Sequence, residues 1–201
     1  MKKLFLAVLA LAMAVNANAK FGIIGGVTST RGNLSDAVAD IRNLTQFHAG
    51  VAYKIPIGAF AIQPAIQYNV KGTKLEAITG IGDLDFKTGY LEMPIQLQYG
   101  LDLAVVRPYV FLEPFLGYAV YNNVQWNDAS GSISDSGWDN VKKRFEWGIG
   151  IGLGAEFIKH LQVSIRYFWN FGNVYSTSIG SVAKTIESGC SGISASLGVF
   201  F

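Results

Sequence analysis

Residues 147–157 read WGIGIGLGAEF, and this stretch decides the fold. Within it, Gly150 to Ala155 fits the degenerate dinucleotide fingerprint G-x-G-x-x-A. That fingerprint needs a strand before it and a helix after it, so that a helix N-terminus meets the pyrophosphate. Here the glycines recur every two residues, at Gly148, Gly150, Gly152 and Gly154. A three-residue turn at 158–160 follows, and then another alternating stretch rather than a helix. Period two is the signature of a strand. Trp147, Ile149, Ile151, Leu153, Ala155 and Phe157 form one face, and the glycines form the other.

The same period recurs along the chain. Phe60, Ile62, Pro64, Ile66, Tyr68 and Val70 alternate with Ala61, Gln63, Ala65, Gln67, Asn69 and Lys71. Leu91, Met93, Ile95, Leu97 and Tyr99 alternate with Glu92, Pro94, Gln96, Gln98 and Gly100. Residues 110–120, 161–170 and 193–201 repeat the pattern, and weaker strands fit 21–29 and 47–57. The count is eight. Each strand has one greasy face and one small or polar face.

Composition says where such strands belong. Half of the 201 residues are apolar, 23 are glycine, and 13% are aromatic. No run after residue 19 reaches the 18 or so apolar residues of a spanning helix. The other structure that satisfies its backbone inside a bilayer is a closed β-barrel. A lipocalin-like soluble barrel would carry its apolar face inward. Here the charged positions share the face of the small residues, which makes that face the interior. The expected fold is all-β: an eight-stranded antiparallel up-and-down transmembrane barrel.

Residues 1–19 are expected to be a cleaved signal peptide. Lys2 and Lys3 are its basic start, 4–15 its apolar core, and Ala17-Asn18-Ala19 its cleavage site. Residues 20–201 then form the barrel domain. Without Lys2 and Lys3 the formal charge falls from +2 to near zero, which argues against nucleic acid as a partner. The single cysteine, Cys190, allows no intrachain disulfide.

Links between strands alternate in length. Short turns fall near Gly58, at 101–106 and at 158–160. Long polar links fall at 30–45, 72–85, 122–142 and 173–186. Outer-membrane barrels pair short periplasmic turns with long outer loops, so both termini are expected on the periplasmic side. Eight to ten steps of about 3.3 Å, tilted roughly 40°, rise about 20–25 Å, matching the apolar band of such barrels. Tyr68, Tyr118, Trp147 and Trp169 would mark an outer aromatic girdle, and Tyr53, Tyr99, Phe157 and Phe201 an inner one. The partners this implies are outer-membrane lipid and an extracellular or envelope protein.

Two segments carry a family resemblance. RPYVFLEPFLGYAVY (107–121) and FEWGIGIGLGAEFIKHLQVSIRYFWNFGNVY (145–175) are similar to the PorT-like small outer-membrane β-barrel family. The resemblance implies a barrel of the bacterial outer membrane and specifies no activity. The terminal Phe201, after an alternating strand, is similar to the signal by which such barrels engage their insertion machinery.

The candidate functional residues are few. Arg166, Glu113, Glu92, Glu146, Glu156, Arg107 and Lys54 should face inward. Counted from the short turns, Glu113 and Arg166 share a mid-barrel depth and Glu92 lies higher. Lys54, Arg107 and Glu156 lie near the bottom. Buried charges must pair, so a network around Arg166 and Glu113 is expected. His48 falls on the inner face and His160 in a short turn, neither with a catalytic spacing. No motif calls for a metal or a cofactor. In the link at 122–142, Trp126 and Trp138 are candidate surface contacts. The functional expectation is a non-enzymatic surface-interaction barrel. A narrow pore and, less favoured, a lipid-acting enzyme are the alternatives.

Overall fold

The computed structural model describes residues 19–32, 40–76, 83–128, 131–135, 144–171 and 190–201. They form nine strands: β1 (Lys20–Gly32), β2 (Asp40–Ile57), β3 (Phe60–Glu76), β4 (Asp83–Gly100), β5 (Val106–Asp128), β6 (Gly131–Asp135), β7 (Phe145–Phe157), β8 (Leu161–Asn170) and β9 (Cys190–Phe200). Eight of them pair in the order β4-β3-β2-β1-β9-β8-β7-β5, and β4 pairs with β5 to close the ring. Every neighbour is antiparallel. The chain is thus a closed eight-stranded barrel without helices among the described residues. The ninth strand, β6, pairs with β5 beyond the ring, with Val124 opposite Asp135.

Alternation sets the inside and the outside. Along β8, exposed Leu161, Val163, Ile165, Tyr167 and Trp169 alternate with buried Gln162, Ser164, Arg166, Phe168 and Asn170. The buried set is rich in charge and amide, while the exposed set is aliphatic and aromatic. In water such an exterior would cost about 25 cal/mol for each Å² of apolar surface left wet. In hydrocarbon that cost is absent, and closure leaves no strand edge unsatisfied within the ring.

The two ends differ. At one end lie the tight turns: Gly58 in the left-handed region (φ 61°), the 101–105 turn, and the 158–160 turn. Both termini lie here, since Lys20 faces Lys54 and the Phe201 amide donates to the Phe21 carbonyl (2.8 Å). At the other end the strands run further than the apolar pattern foretells. Much of the sequence expected in loops is strand. Asp40 pairs with Glu76, Leu75 with Leu84, and Asp83 with Asn127. The reason is that ladder hydrogen bonds need no apolar face once the strands leave the membrane. Among the described residues β2 to β5 are 17 to 23 residues long and β7 to β9 are 10 to 13. Over β2 to β6 the described strands thus continue past the apolar band as a raised wall. Trp126 belongs to this wall, in β5 opposite Leu84 and Ile133, rather than to a loop. Trp138 and the signal-peptide segment 1–18 lie outside the described residues.

Candidate functional site

The distinctive site is the lumen, and the glycines of β7 make it possible. A Cβ at Gly148 would sit 2.3 Å from both the Phe115 ring and the Trp169 carbonyl. At Gly152 it would meet the Ile165 carbonyl (2.3 Å) and the Phe111 ring (2.4 Å), and at Gly154 the Tyr109 ring (2.5 Å). At Gly150 the nearest atom is Cδ of Arg166 (2.9 Å). The bare wall of β7 gives room for the ring tips of three aromatics of β5 and for one arginine of β8 in a narrow interior. An eight-stranded barrel is just wide enough to be filled this way.

Charges stack in three layers. In the lowest, Lys54 of β2 donates to Glu156 of β7. Arg107 of β5 lies 3.9 Å from the same carboxylate and 3.4 Å from Asp102. It also donates to the Ala59 carbonyl (3.0 Å) and to Gln98 (3.3 Å), which in turn donates to Gln63 (3.0 Å).

In the middle layer Arg166 pairs with Glu113. A hydrogen-bonded relay leads on from it. Arg166 donates to Ser194 (3.3 Å), Ser194 lies 3.1 Å from Thr28, and Thr28 lies 2.9 Å from Nδ1 of His48. Nε2 of His48 is 2.9 Å from Ser196. The guanidinium rests 5.0 Å from the Phe168 ring centre, a favourable cation–π distance.

In the upper layer Lys71 of β3 bridges two carboxylates, Glu92 of β4 at 2.5 Å and Glu146 of β7 at 2.9 Å. The second oxygen of Glu92 accepts from Gln67 (3.0 Å) and Asn69 (3.1 Å), and Glu146 accepts from Asn170. Rings of Phe115 and Phe168 lie 4.4 and 4.9 Å from the Lys71 ammonium. Its exposure is 0%. A buried charge is tolerable only when paired and hydrogen-bonded, and here each carboxylate is both.

All seven predicted interior charges sit inside the barrel, and every one is buried. They divide among three layers, with Arg166 and Glu113 in the middle, Glu92 above and Lys54, Arg107 and Glu156 below, the depths that counting from the short turns gives. Lys71 was missing from that set, although its parity with Gln63, Gln67 and Asn69 marks it as inward. A lysine next to a polar link reads as a solvated rim residue, and only the extra turns of ladder above it bury it. The serines around His48 come from β9, about 150 positions away, so no local spacing announces them. Between the lower and middle layers remains a cavity of about 20 Å³, lined by His48, Gln67, Glu113, Gln162 and Arg166. That is room for roughly one water.

The aromatic girdle residues lie on the outer surface in two bands. Tyr99 lies tilted against Phe60 (5.0 Å), Tyr68 against Phe47 (6.1 Å) and Trp147 against Phe171 (5.0 Å), and Trp169 meets Tyr167 edge-on (4.7 Å). Tyr118, Phe157 and Phe201 are exposed and Tyr53 is half-buried.

The family model described as outer membrane protein beta-barrel domain matches residues 13–176 of the chain. None of the curated proteins compared with it matches. Among solved structures the chain is similar to Neisserial surface protein A, with 15% identity and a TM-score of 0.49, covering 91% of this chain and 99% of that one. It is similar to Ail, the attachment invasion locus protein of Yersinia pestis, at 13% identity and a TM-score of 0.46, covering 91% and 99%. OprG from Pseudomonas aeruginosa follows at 12% identity and a TM-score of 0.45, covering 91% and 96%.

Proposed function

The chain belongs to the outer membrane protein β-barrel domain family, and from that premise we propose that it is a sealed barrel of the bacterial outer membrane that works at its outer rim. Its partner there is an extracellular or envelope protein. Within the family we assign it to the PorT-like barrels, on the motifs at 107–121 and 145–175.

The observation that carries this reading is the filled lumen. Three ion-pair layers and the β5 aromatics cross the lumen among the described residues, and the cavity between the lower and middle layers holds only about 20 Å³, which supports a blocked solute path. Function then falls to the ends. The raised wall of β2 to β6 offers a strand-built platform of mixed polar and apolar residues above the membrane, and strands hold a binding geometry better than loops do.

The test shortens the platform and spares the barrel. Thr73 and Phe86 already face each other across β3 and β4. Replacing residues 74–85 with an Asn-Gly turn closes that hairpin early. The variant is expected to assemble normally in the outer membrane but to lose the protein that crosslinks to the wild-type cell-surface face. Undiminished crosslinking by a correctly assembled variant would count against the proposal.

A further inference from the structure

We propose that the short-turn end of the barrel holds a binding site for an anionic phospholipid of the inner leaflet. A bowl of about 690 Å³ opens at this end. Its floor is the lowest ion-pair layer, where Lys54, Arg107 and Glu156 are 3%, 9% and 7% exposed. The floor makes the bowl blind, so whatever enters from the periplasmic side stays there.

The charge inside is unbalanced. Lys20, Lys54, Arg107 and Lys159 line the bowl against two side-chain carboxylates, Glu156 and Asp102, and the terminal residue Phe201. Both carboxylates are engaged by Lys54 and Arg107. Lys20 and Lys159 have no carboxylate partner among the described residues, and the Lys20 ammonium donates to the Lys159 carbonyl instead. The cationic residues thus outnumber the acidic side chains, with Lys20 and Lys159 left over above a floor whose charges are paired. Such a site takes a compact anion through charge-assisted hydrogen bonds.

One wall is apolar. Leu103 and Val105 line the bowl yet are 56% and 65% exposed, and neighbouring Ile158 is 71% exposed. The Ile158 amide donates to the Val105 carbonyl (2.8 Å), which joins the two turns into one greasy lip. The lip continues from Phe157 on the membrane-facing surface. A free inorganic anion has no use for this wall. An acyl chain running down the barrel exterior does, with its phosphate turned into the bowl.

Backbone strain falls at the same place. Ala104 (φ 46°), Ile158 (φ 52°) and Lys159 (φ 60°) are the left-handed non-glycine residues among those described, and all three are on this rim. A two-residue turn of this kind prefers Asn-Gly, and a β-branched residue there is an outlier. Strain of this sort collects where a side chain is held for a ligand.

Native mass spectrometry of the barrel in nonionic detergent tests the proposal, with phosphatidylglycerol and phosphatidylcholine as probes. One phosphatidylglycerol should be retained per barrel, with about tenfold preference over phosphatidylcholine. Lys20→Ala with Lys159→Ala should remove that preference without changing the melting temperature, because neither residue is in the buried layers. Leu103→Ser with Val105→Ser should weaken retention while leaving headgroup preference intact. Equal retention of both lipids, or indifference to the lysine pair, would overturn the site. Displacement by inorganic phosphate as effective as by lipid, with no effect of the serine pair, would overturn the lipid as its occupant.

Discussion

Replacing Lys71 with alanine should destabilise the barrel by about 3–5 kcal/mol, the cost of breaking a buried ion pair by removing one partner. The effect should lie at the upper end, because one ammonium serves both Glu92 and Glu146. Once it is gone, two fully buried carboxylates face each other across the lumen. Arg166→Ala should cost a similar amount, since it strands Glu113 and cuts the relay to Ser194. Urea unfolding in detergent micelles, followed by tryptophan fluorescence, gives the number. Adding Glu92→Gln and Glu146→Gln to Lys71→Ala should recover much of the loss, as coupled neighbours do in a mutant cycle. A Lys71→Ala barrel as stable as wild type would mean that the layer is not a paired network.

The second large effect concerns the glycine wall. Gly148→Ala and Gly152→Ala should each destabilise by about 1–3 kcal/mol, the usual cost of overpacking. In both, the new methyl meets a backbone carbonyl of β8, which cannot retreat without breaking the ladder. Gly150→Ala should be close to neutral. Its nearest neighbour is the flexible Arg166 side chain, and alanine regains about 0.5–1 kcal/mol over a strand glycine through chain entropy. Leucine at 148 or 152 should block assembly outright, visible as loss of heat-modifiable gel mobility. Three equal alanine effects would contradict the packing described for β7.

How much of this was written in the sequence depends on what each feature rests upon. The membrane-spanning part was legible because one force acts on every residue there. Hydrocarbon outside and a crowded lumen inside demand alternation, so the greasy run from Leu161 to Trp169 could be read residue by residue. Above the bilayer that demand vanishes. Residues such as Thr73, Lys74 and Asp85 pair as strands beside only short apolar alternations, Leu84 with Phe86 and Val124 with Trp126, so the raised wall read as loop. Depth was legible by counting from the turns. Partnership was not, because it depends on how far each strand is staggered around the ring. Lys71 reaches Glu146 across the interior from a strand three places away around the ring, and His48 meets Ser196 across β1. The dinucleotide-like spacing of β7 shows the converse. Glycines at alternate positions are a packing device when the strand around them carries a lipid face, and only a following helix would make them a phosphate cradle.

A sealed lumen is the central claim, and single-channel recording in a planar bilayer tests it most directly. The wild-type barrel should insert without discrete conductance steps in molar salt. Lys71→Ala with Arg166→Ala, if it inserts, should show small ones, because the side chains that cross the lumen are gone. Steady conductance steps from the wild-type protein would contradict the account and turn the reading toward a pore.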